Sequence, residues 1–387
     1  MSAERVRVAH VSTFPPMQCG IAFYADDLIR ALPAYSHGRY VLHYGDGCLQ
    51  GADDQANLNE AASVRALARA ISSSGCSVVS LQHEFGIWGG SNGEHLHDFL
   101  ATCEKPIVST LHTTFKRNRR PEVQYALLEE LVKRSETVIV LTSESRRTLC
   151  GALAMPTEAL TVVPHGVPDI AFVPPPHVKT DKHGREVWKL CSIGFMRPDK
   201  GIEQTLHGLR ALADQGRRFE YRIAGGVQMQ FPQQSAYLDQ LMKLISVLKL
   251  DDVVTLDARI LSREEQIAAI QHSHAGVFAY QDPDHASSGT IPLVMAAGRP
   301  VICTPFEFGF AKEAEVGGVT IAKGFDAGAI SEAIVRSFAQ GRSLVSETKS
   351  LYRRTRPWTW GSIGPLYANA YEQAISRTGQ LNAQVHV

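Results

Sequence analysis

Short β-branched or apolar runs alternate along most of the chain with longer segments of helical periodicity. In the first half, strands are predicted over residues 5–12, 78–81, 106–111, 137–141 and 160–163, with an amphipathic helix over residues 21–32. In the second half, strands are predicted over residues 188–193, 219–224, 253–256, 275–279 and 301–303, with a helix over about 201–214. Strands that alternate with helices favour parallel, doubly wound sheets, so the predicted fold class is α/β.

A proline-rich, polar stretch separates the two halves. It begins near Pro168, and we interpret residues 171–186 as an interdomain linker. The predicted domains are therefore residues 1–170 and residues 187–362. Two doubly wound domains predict a cleft at the carboxyl ends of both sheets, where ligands of such folds bind.

Composition narrows the function classes. The 387 residues include 39 Lys plus Arg and 39 Asp plus Glu, so no global field favours nucleic acid or anionic lipid. The seven cysteines show no disulfide or zinc spacing, which is typical of reduced thiols in a cytoplasmic protein. We recognise no N-terminal leader, and no apolar run approaches the ~18 residues that span a bilayer. Any membrane contact is therefore expected to be peripheral.

Residues 281–306, with the sequence QDPDHASSGTIPLVMAAGRPVICTPF, predict an anion site. A short helix is expected over residues 290–297, ended by Gly298. Its candidate N-caps are Ser287, Ser288 and Thr290. Free N–H groups and the positive end of the helix dipole then point at one spot, as in phosphate sites. The alternative is an ordinary capped helix in an α/β layer.

Six motifs, in their order and spacing, resemble those of bacterial retaining glycosyltransferases of family four, which have the GT-B fold of two Rossmann-like domains. The motifs are FPPMQCGI (14–21), QHEFGIWGG (82–90), LHT (111–113), VPHGV (163–167), GFMRPDKG (194–201) and SGTIPLVMAAGRPV (288–301). The resemblance implies transfer of a sugar from a nucleoside diphosphate to a carbohydrate or lipid-linked acceptor, without cofactor or divalent metal. It also implies a last helix over about 363–387 that crosses back onto the first domain.

The same resemblance assigns residues to the donor. Lys200 corresponds to the diphosphate lysine, and Arg197 is its candidate partner because Phe195 stands at the family's usual arginine position. The catalytic candidates are His112, Lys200 and Asp284. The donor-binding candidates are Gly20, Arg197, Lys200, Gly225, Gly226, His285, Ser287, Ser288, Gly289 and Thr290. The alternatives are a solvated loop pair for Arg197 and Lys200, and a structural role for His112.

The chain departs from the family at two glutamates that seven residues separate. The corresponding positions are His285 and Leu293, and a leucine cannot accept a hydrogen bond from ribose. Asp284 is the candidate substitute for the first glutamate. Two alternatives to an active transferase therefore stay open. One is a catalytically silent relative that binds a nucleotide sugar or partners another subunit, and the other is a phosphorylase that uses a sugar phosphate.

Acceptor-binding candidates lie in the first half. They are His83, Glu84 and Gly86, for which the alternative is a strand-end turn with an incidental polar pair. A basic run is a candidate contact for an anionic acceptor or the inner membrane face, the alternative being a solvated loop. Its members are Lys116, Arg117, Arg119 and Arg120.

Two histidine pairs have i, i+2 spacing. They are His95 with His97, and His272 with His274. On a helix this spacing separates the two rings, so we predict no metal site at either pair.

Overall fold

The computed structural model describes residues 5–45, 49–117, 119–226, 233–339 and 344–385. The chain forms two compact units. Unit 1 consists of Met1–Gly166 and Trp360–Val387, and unit 2 consists of Val167–Thr359. The boundary between the two units thus lies after residue 166, slightly before the predicted boundary after residue 170. The proline-rich stretch that we interpreted as a linker lies within unit 2.

The strands and helices are numbered in chain order. The strands are β1 Arg7–Ser12, β2 Ser36–His43, β3 Asp54–Asn57, β4 Val78–His83, β5 Ile107–Leu111, β6 Thr137–Val140, β7 Leu160–Val162, β8 Lys179–Thr180, β9 Glu186–Ile193, β10 Arg218–Ala224, β11 Val254–Asp257, β12 Ala275–Phe278, β13 Val301–Cys303 and β14 Val319–Ile321. The helices are α1 Gly20–Arg30, α2 Ala61–Ser73, α3 His95–Thr102, α4 Glu122–Arg134, α5 Ser143–Leu153, α6 Ile202–Asp214, α7 Gln233–Val247, α8 Arg263–Gln271, α9 Thr290–Ala296, α10 Glu307–Val316, α11 Ala327–Phe338, α12 Leu344–Arg354 and α13 Trp360–Val385.

Unit 1 is built on a parallel sheet in the order β3-β2-β1-β4-β5-β6-β7. Its central strands β4 and β5 are buried at every position. Strands covered by helices on both faces are rich in β-branched and apolar residues, and β4 and β5 begin with Val78-Val79 and Ile107-Val108. This explains why these two strands were recognisable in the sequence.

The last helix, α13, belongs to unit 1. It covers one face of the sheet, where the Tyr371 hydroxyl donates to Ser80 Oγ at 2.8 Å and the hydroxyls of Tyr24 and Tyr367 lie 2.7 Å apart. The helix was predicted over about 363–387, and it begins three residues earlier than expected, at Trp360. Residues 386 and 387 lie outside the described residues.

Unit 2 repeats the same arrangement. Its parallel strands follow the order β11-β10-β9-β12-β13-β14, and β8 adds an antiparallel pair to β9. Counted along each unit, both sheets therefore contain the strand order 3-2-1-4-5-6 of doubly wound dinucleotide-binding folds, and in unit 1 β7 extends it by one strand. The predicted α/β class with two Rossmann-like domains is confirmed.

Three parallel strands were not predicted: β2, β3 and β14. The sequence of β3, DQAN, contains one apolar residue, and Tyr40 of β2 pairs with its first residue, Asp54. Such short or polar strands form because neighbouring strands offer hydrogen bonds, a tertiary effect that local propensity does not report.

In the described ranges, no helix is both long and apolar enough to cross a bilayer. The cysteines of these ranges are free thiols, all buried except the half-buried Cys19. Cys48, the remaining cysteine, lies outside the described residues.

Candidate functional site

The order of the strands marks one place in each sheet where ligands of open α/β folds bind. This place lies at the carboxyl ends of the two strands between which the order reverses. In unit 1 these strands are β1 and β4, and in unit 2 they are β9 and β12. In unit 2, the loop after β9 carries Lys200 and the loop after β12 carries Tyr280, Asp284 and His285.

The loop after β9 is held against the end of β12 by its backbone. Pro198–Lys200 forms a tight turn, and Gly201 follows in the left-handed region at φ 62° before α6 begins. A Cβ on Gly201 would lie 1.9 Å from the carbonyl oxygen of Ala279, so only glycine fits this close approach. The Gln281 N–H also donates to the Asp199 carbonyl at 3.0 Å. Together these contacts fix Lys200 beside the end of β12.

Lys200 is held by two neighbours rather than extended into solvent. Its Nζ lies 3.8 Å from the ring centroid of Tyr280 and 3.5 Å from Asp199 Oδ2, and 19% of the side chain is exposed. An ammonium over an aromatic face is attracted by the negative face of the ring. The charge is therefore partly shielded but still reachable by an anion.

The guanidinium of Arg197 is occupied by a carboxylate. Its Nε and Nη2 donate to the two carboxyl oxygens of Asp199 at 2.8 and 2.7 Å. Burial alone would raise the pKa of Asp199, but the hydrogen bonds from Arg197 and the charges of Lys200, Arg197 and His285 outweigh it and lower the pKa to about 2. Asp199 is thus ionised at neutral pH. A phosphate that binds the same two N–H groups of Arg197 must displace this carboxylate.

The loop after β12 places Asp284 and His285 around the same tyrosine. The Asp284 and His285 N–H groups donate to Asp282, at 3.0 Å to Oδ1 and 3.1 Å to the carbonyl oxygen, and so fold the loop into a turn. The His285 ring lies edge-on to Tyr280 with centroids 4.6 Å apart. Asp284 is half-buried. The two residues at the position of the missing glutamate are thus brought close to the Lys200 loop.

The start of α9 differs from the expected capped helix. Its N-cap is Gly289, and Ser288 Oγ reaches the Ile291 N–H only at 3.4 Å. The Ser288 and Thr290 hydroxyls lie 3.2 Å apart and each lies 3.3 Å from the Tyr280 hydroxyl. The prediction that Ser287, Ser288 or Thr290 is the N-cap is therefore wrong, because Gly289 occupies that position and the Ser288 and Thr290 hydroxyls lie near Tyr280. Since α9 has only seven residues, its dipole would contribute little to the binding of an anion.

Leu293, at the second glutamate position, is 1% exposed and belongs to the apolar core of unit 2. Its side chain contributes to the packing of that core.

Gly225 and Gly226 bring the ends of β9 and β10 together. Gly225 has φ 133°, and a Cβ there would lie 2.4 Å from the Gly194 carbonyl oxygen. The Met196 N–H donates to the Gly226 carbonyl at 3.1 Å. These glycines therefore support the backbone from which the Lys200 loop departs. Residues 227–232, which follow them, lie outside the described residues.

In unit 1, His112 follows β5 and is buried. Its Nε2 lies 2.8 Å from Gln82 Oε1 on the neighbouring strand β4, and its ring packs edge-on against Tyr24 with centroids 4.8 Å apart. Burial, with smaller contributions from His165 and His83, lowers the pKa of His112 to about 3. The imidazole is therefore neutral at physiological pH and can act there as a hydrogen-bonding group but not as an acid.

The three acceptor candidates do not form one cluster of side chains. His83 is fully buried against Phe85, and in the described part of the chain neither ring nitrogen has a hydrogen-bond partner. Glu84 Oε2 accepts the Gly86 N–H at 2.7 Å and so caps the short turn Phe85–Ile87. Glu84 and Gly86 thus have a local structural role in this state.

Gly20 is the exposed first residue of α1. A Cβ placed on it would meet no heavy atom within 4 Å, so the packing of unit 1 does not require glycine here. The absence of a side chain leaves the first turn of the helix accessible.

The remaining polar candidates are engaged locally. Lys116, Arg117, Arg119 and Arg120 are exposed, and Asn118 within this run lies outside the described residues. Arg117 Nη2 lies 3.5 Å from Glu122. His97 Nδ1 lies 2.9 Å from Glu130, and the two ring nitrogens of His274 lie 2.9 Å from the Lys189 N–H and 3.0 Å from the Pro176 carbonyl. Across the described ranges, no group of three or more His, Cys, Asp or Glu side chains is arranged to hold a metal ion.

Sequence reasoning missed three residues of these two sites: Tyr280, Asp199 and Gln82. Asp199 stands between two of the predicted residues, so the alternating charges of Arg197, Asp199 and Lys200 were a usable signal. Gln82 adjoins the predicted His83 in the sequence. Tyr280 had no local signal, because it ends an apolar run and reads as core.

Comparisons with known proteins agree with this architecture. Residues 18–169 match the family model described as Glycosyltransferase Family 4. No curated protein matches the chain.

Similar solved structures include a glycosyltransferase from Rickettsia africae ESF-5, with TM-score 0.70, 12% identity, and coverage of 96% of this chain and 99% of that chain. HepE from Anabaena, in complex with UDP and glucose, has TM-score 0.70 and 12% identity and covers 95% and 99% of the two chains. Sucrose-phosphate synthase from Thermosynechococcus elongatus has TM-score 0.69 and 16% identity and covers 99% of both. These likenesses show the two-domain GT-B fold.

Proposed function

We propose that this protein is a glycosyltransferase that moves a hexosyl group from a nucleoside diphosphate sugar to an acceptor hydroxyl, with retention of the anomeric configuration, because residues 18–169 match the model of Glycosyltransferase Family 4. The observation that carries the proposal is the position of Lys200. Its ammonium lies at the reversal point of the unit 2 sheet, beside Tyr280 and Asp199 and partly open to solvent. A fixed, partly shielded cation at that point suits a phosphate ligand.

The proposed chemistry follows from the bond that breaks. When the anomeric C–O bond breaks, its electron pair stays with the oxygen of the leaving diphosphate, so negative charge builds there. Lys200 stabilises this charge from a position set before the reaction. Arg197 contributes two further N–H donors once the phosphate replaces the Asp199 carboxylate, with which the guanidinium now pairs.

The remaining donor contacts are proposed around the same tyrosine. Asp284 and His285 take the place of the family's first glutamate and bind hydroxyls of the transferred hexose. Ser288 and Thr290 bind the phosphate through their hydroxyls. In unit 1, the buried neutral His112 serves as a hydrogen-bonding group for sugar, and Gly20 leaves the first turn of α1 open for the diphosphate.

The acceptor is proposed to be a carbohydrate or a lipid-linked sugar. The exposed basic run at Lys116, Arg117, Arg119 and Arg120 supports an anionic acceptor or an anionic membrane surface near unit 1. Within this run, Arg117 Nη2 pairs with Glu122 at 3.5 Å.

A thermal-shift panel of UDP, GDP, ADP and TDP tests the proposal most directly. A ligand that binds only the folded protein raises its melting temperature, so one of these diphosphates is expected to stabilise the chain by several degrees. UDP is the first choice because the solved relative HepE was crystallised with it. Hydrolysis of the corresponding nucleotide sugar without acceptor then distinguishes an active transferase from a silent relative. A shift without hydrolysis or transfer supports the silent alternative, and no shift with any diphosphate contradicts the proposal.

Replacing Asp284 with asparagine is expected to lower sugar transfer on the order of 100-fold, because an amide accepts hydrogen bonds from sugar hydroxyls less strongly than a carboxylate. The change is measured as kcat/KM for the nucleotide sugar. Binding of the free diphosphate is expected to stay within about 3-fold, since Asp284 contacts the sugar. Asp252→Asn, at an exposed position of unit 2, is the matched control. Transfer by the Asp284→Asn variant at the wild-type rate removes Asp284 from the site.

A further inference from the structure

Tyr280 lies at the centre of the unit 2 site, although no family motif assigns it a role. It lies two residues beyond the end of β12 and is 5% exposed. Its ring stacks on Phe306 with centroids 5.1 Å apart and meets the edge of His285 at 4.6 Å. Its backbone carbonyl accepts the Thr304 hydroxyl at 2.6 Å. The tyrosine is therefore fixed on several sides before any ligand binds.

The face of this ring is the closest aromatic partner of the Lys200 ammonium, at 3.8 Å from the centroid. A second partner of the ammonium is the Asp199 carboxylate, whose Oδ2 lies 3.5 Å away. A lysine side chain has four rotatable bonds, so its ammonium moves toward its strongest partner when a competing contact is lost. Without the ring, that partner is the Asp199 carboxylate, and an ammonium paired with a carboxylate is a poorer phosphate ligand.

The hydroxyl of the same tyrosine reaches a different part of the site. It lies 3.3 Å from Ser288 Oγ and 3.3 Å from Thr290 Oγ1, which lie 3.2 Å from each other. A triangle of three hydroxyls restricts the rotation of each one. The ring and the hydroxyl of Tyr280 thus act on two separate sets of ligand-binding atoms.

We propose that Tyr280 is a positioning residue, whose ring holds the Lys200 ammonium in place for a diphosphate and whose hydroxyl orients Ser288 and Thr290. This inference rests on the proposed function, because it concerns how the same site binds its diphosphate. It adds a residue that acts through Lys200 and separates the contribution of the ring from that of the hydroxyl.

Isothermal titration with UDP, and in parallel with GDP and ADP, tests this role. Tyr280→Phe keeps the ring and removes the hydroxyl, and is expected to weaken diphosphate binding by about 3-fold. Tyr280→Leu removes the ring as well, and is expected to weaken binding by a further factor of about 10. The step from phenylalanine to leucine therefore measures the ring alone.

The decisive comparison repeats that step in the Lys200→Met background. If the ring acts through Lys200, the phenylalanine and leucine variants bind the diphosphate equally well once the ammonium is gone. If the ring has a purely structural role, its removal weakens diphosphate binding by the same factor in both backgrounds. The coupling between the two positions is thus a readout that general loss of packing does not produce.

Tyr352→Leu is the matched control in the same unit. Tyr352 also carries a cation over its ring, Arg356 at 4.1 Å, and its hydroxyl donates to the Ile170 carbonyl at 2.8 Å. This variant loses similar contacts away from Lys200 and is expected to bind the diphosphate like the wild type. Thermal unfolding of each variant verifies that the titrated protein is folded.

Each outcome decides between the two proposals. Suppose that Lys200→Met weakens diphosphate binding but Tyr280→Leu and Tyr280→Phe bind equally well; the inference on Tyr280 is then wrong and the proposed function stands. The same holds if the loss of affinity from Tyr280→Phe to Tyr280→Leu persists in the Lys200→Met background. If Lys200→Met binds every diphosphate like the wild type, or if none of the three binds the wild type, the proposed function is wrong and the inference fails with it.

Discussion

Replacing Lys200 with alanine is expected to lower sugar transfer on the order of 1,000-fold. The reason is that the lysine supplies a full positive charge at the oxygen on which negative charge develops, and it does so from a position set by Tyr280 and Asp199. Losing one preorganised donor at such a position typically costs a factor of about 100 to 1,000, and a charged donor lies at the upper end.

The measurement is kcat/KM for the nucleotide sugar together with the dissociation constant of the free diphosphate. Loss of kcat/KM that exceeds loss of diphosphate affinity indicates that Lys200 stabilises the transition state more than the ground state. Lys189→Ala is the matched control, since Lys189 is a partly exposed lysine of the same unit that pairs with Glu220 at 3.1 Å. Activity of the Lys200→Ala variant within a factor of about 10 of the wild type contradicts the assignment.

Unit 1 is expected to lose stability steeply as the pH falls below about 6.5. Three histidines of this unit are buried: His10, His83 and His112. Burial is the main cause that lowers the pKa of each to about 3. Between pH 6.5 and 3 the unfolded chain binds protons at these positions and the folded chain does not. Acid therefore favours unfolding, by about 1.4 kcal/mol per pH unit for each histidine. From pH 7 to pH 5 the three together cost on the order of 5 kcal/mol, comparable to the whole stability of a domain.

Urea unfolding followed by circular dichroism at pH 7.5, 6.5 and 5.5 measures this dependence. His83→Gln is the informative variant, because in the described part of the chain the ring nitrogens of His83 have no hydrogen-bond partners to lose. It is expected to reduce the pH dependence by about a third relative to the wild type. His207→Gln, at an exposed position of α6, is the control and is expected to keep the wild-type dependence. A free energy of unfolding that stays constant from pH 7.5 to 5.5 contradicts the expectation.

The central strands and the Lys200 loop were predictable because their signals are local. The strands β4 and β5 are buried on both faces, and each begins with a pair of β-branched apolar residues. Gly201 ends its loop in the left-handed region, where glycine is favoured, and α6 follows with regular helical spacing. The edge strand β3 was not predictable, since its four residues acquire their conformation from pairing with β2.

The residues of the candidate site also divide into those that the sequence predicts and those that it does not. Its charged members, Arg197, Lys200 and Asp284, stand in short segments that resemble the family's motifs, and that resemblance is the signal that indicated them. Their partners do not follow from composition. The bidentate contact between Arg197 and Asp199 depends on the turn at Pro198–Lys200, and the hydroxyl triangle of Tyr280, Ser288 and Thr290 replaces the predicted N-cap.

The amino-acid sequence by itself determined two α/β domains and a glycine-terminated loop with one lysine, because backbone conformation and charge are properties of neighbouring residues. Only the tertiary structure decided that Tyr280 supports that lysine, that Asp199 occupies Arg197, and that burial keeps His83 and His112 neutral. These features arise when strands such as β9 and β12, which are far apart in the chain, pair within one sheet and exclude water from the groups between them.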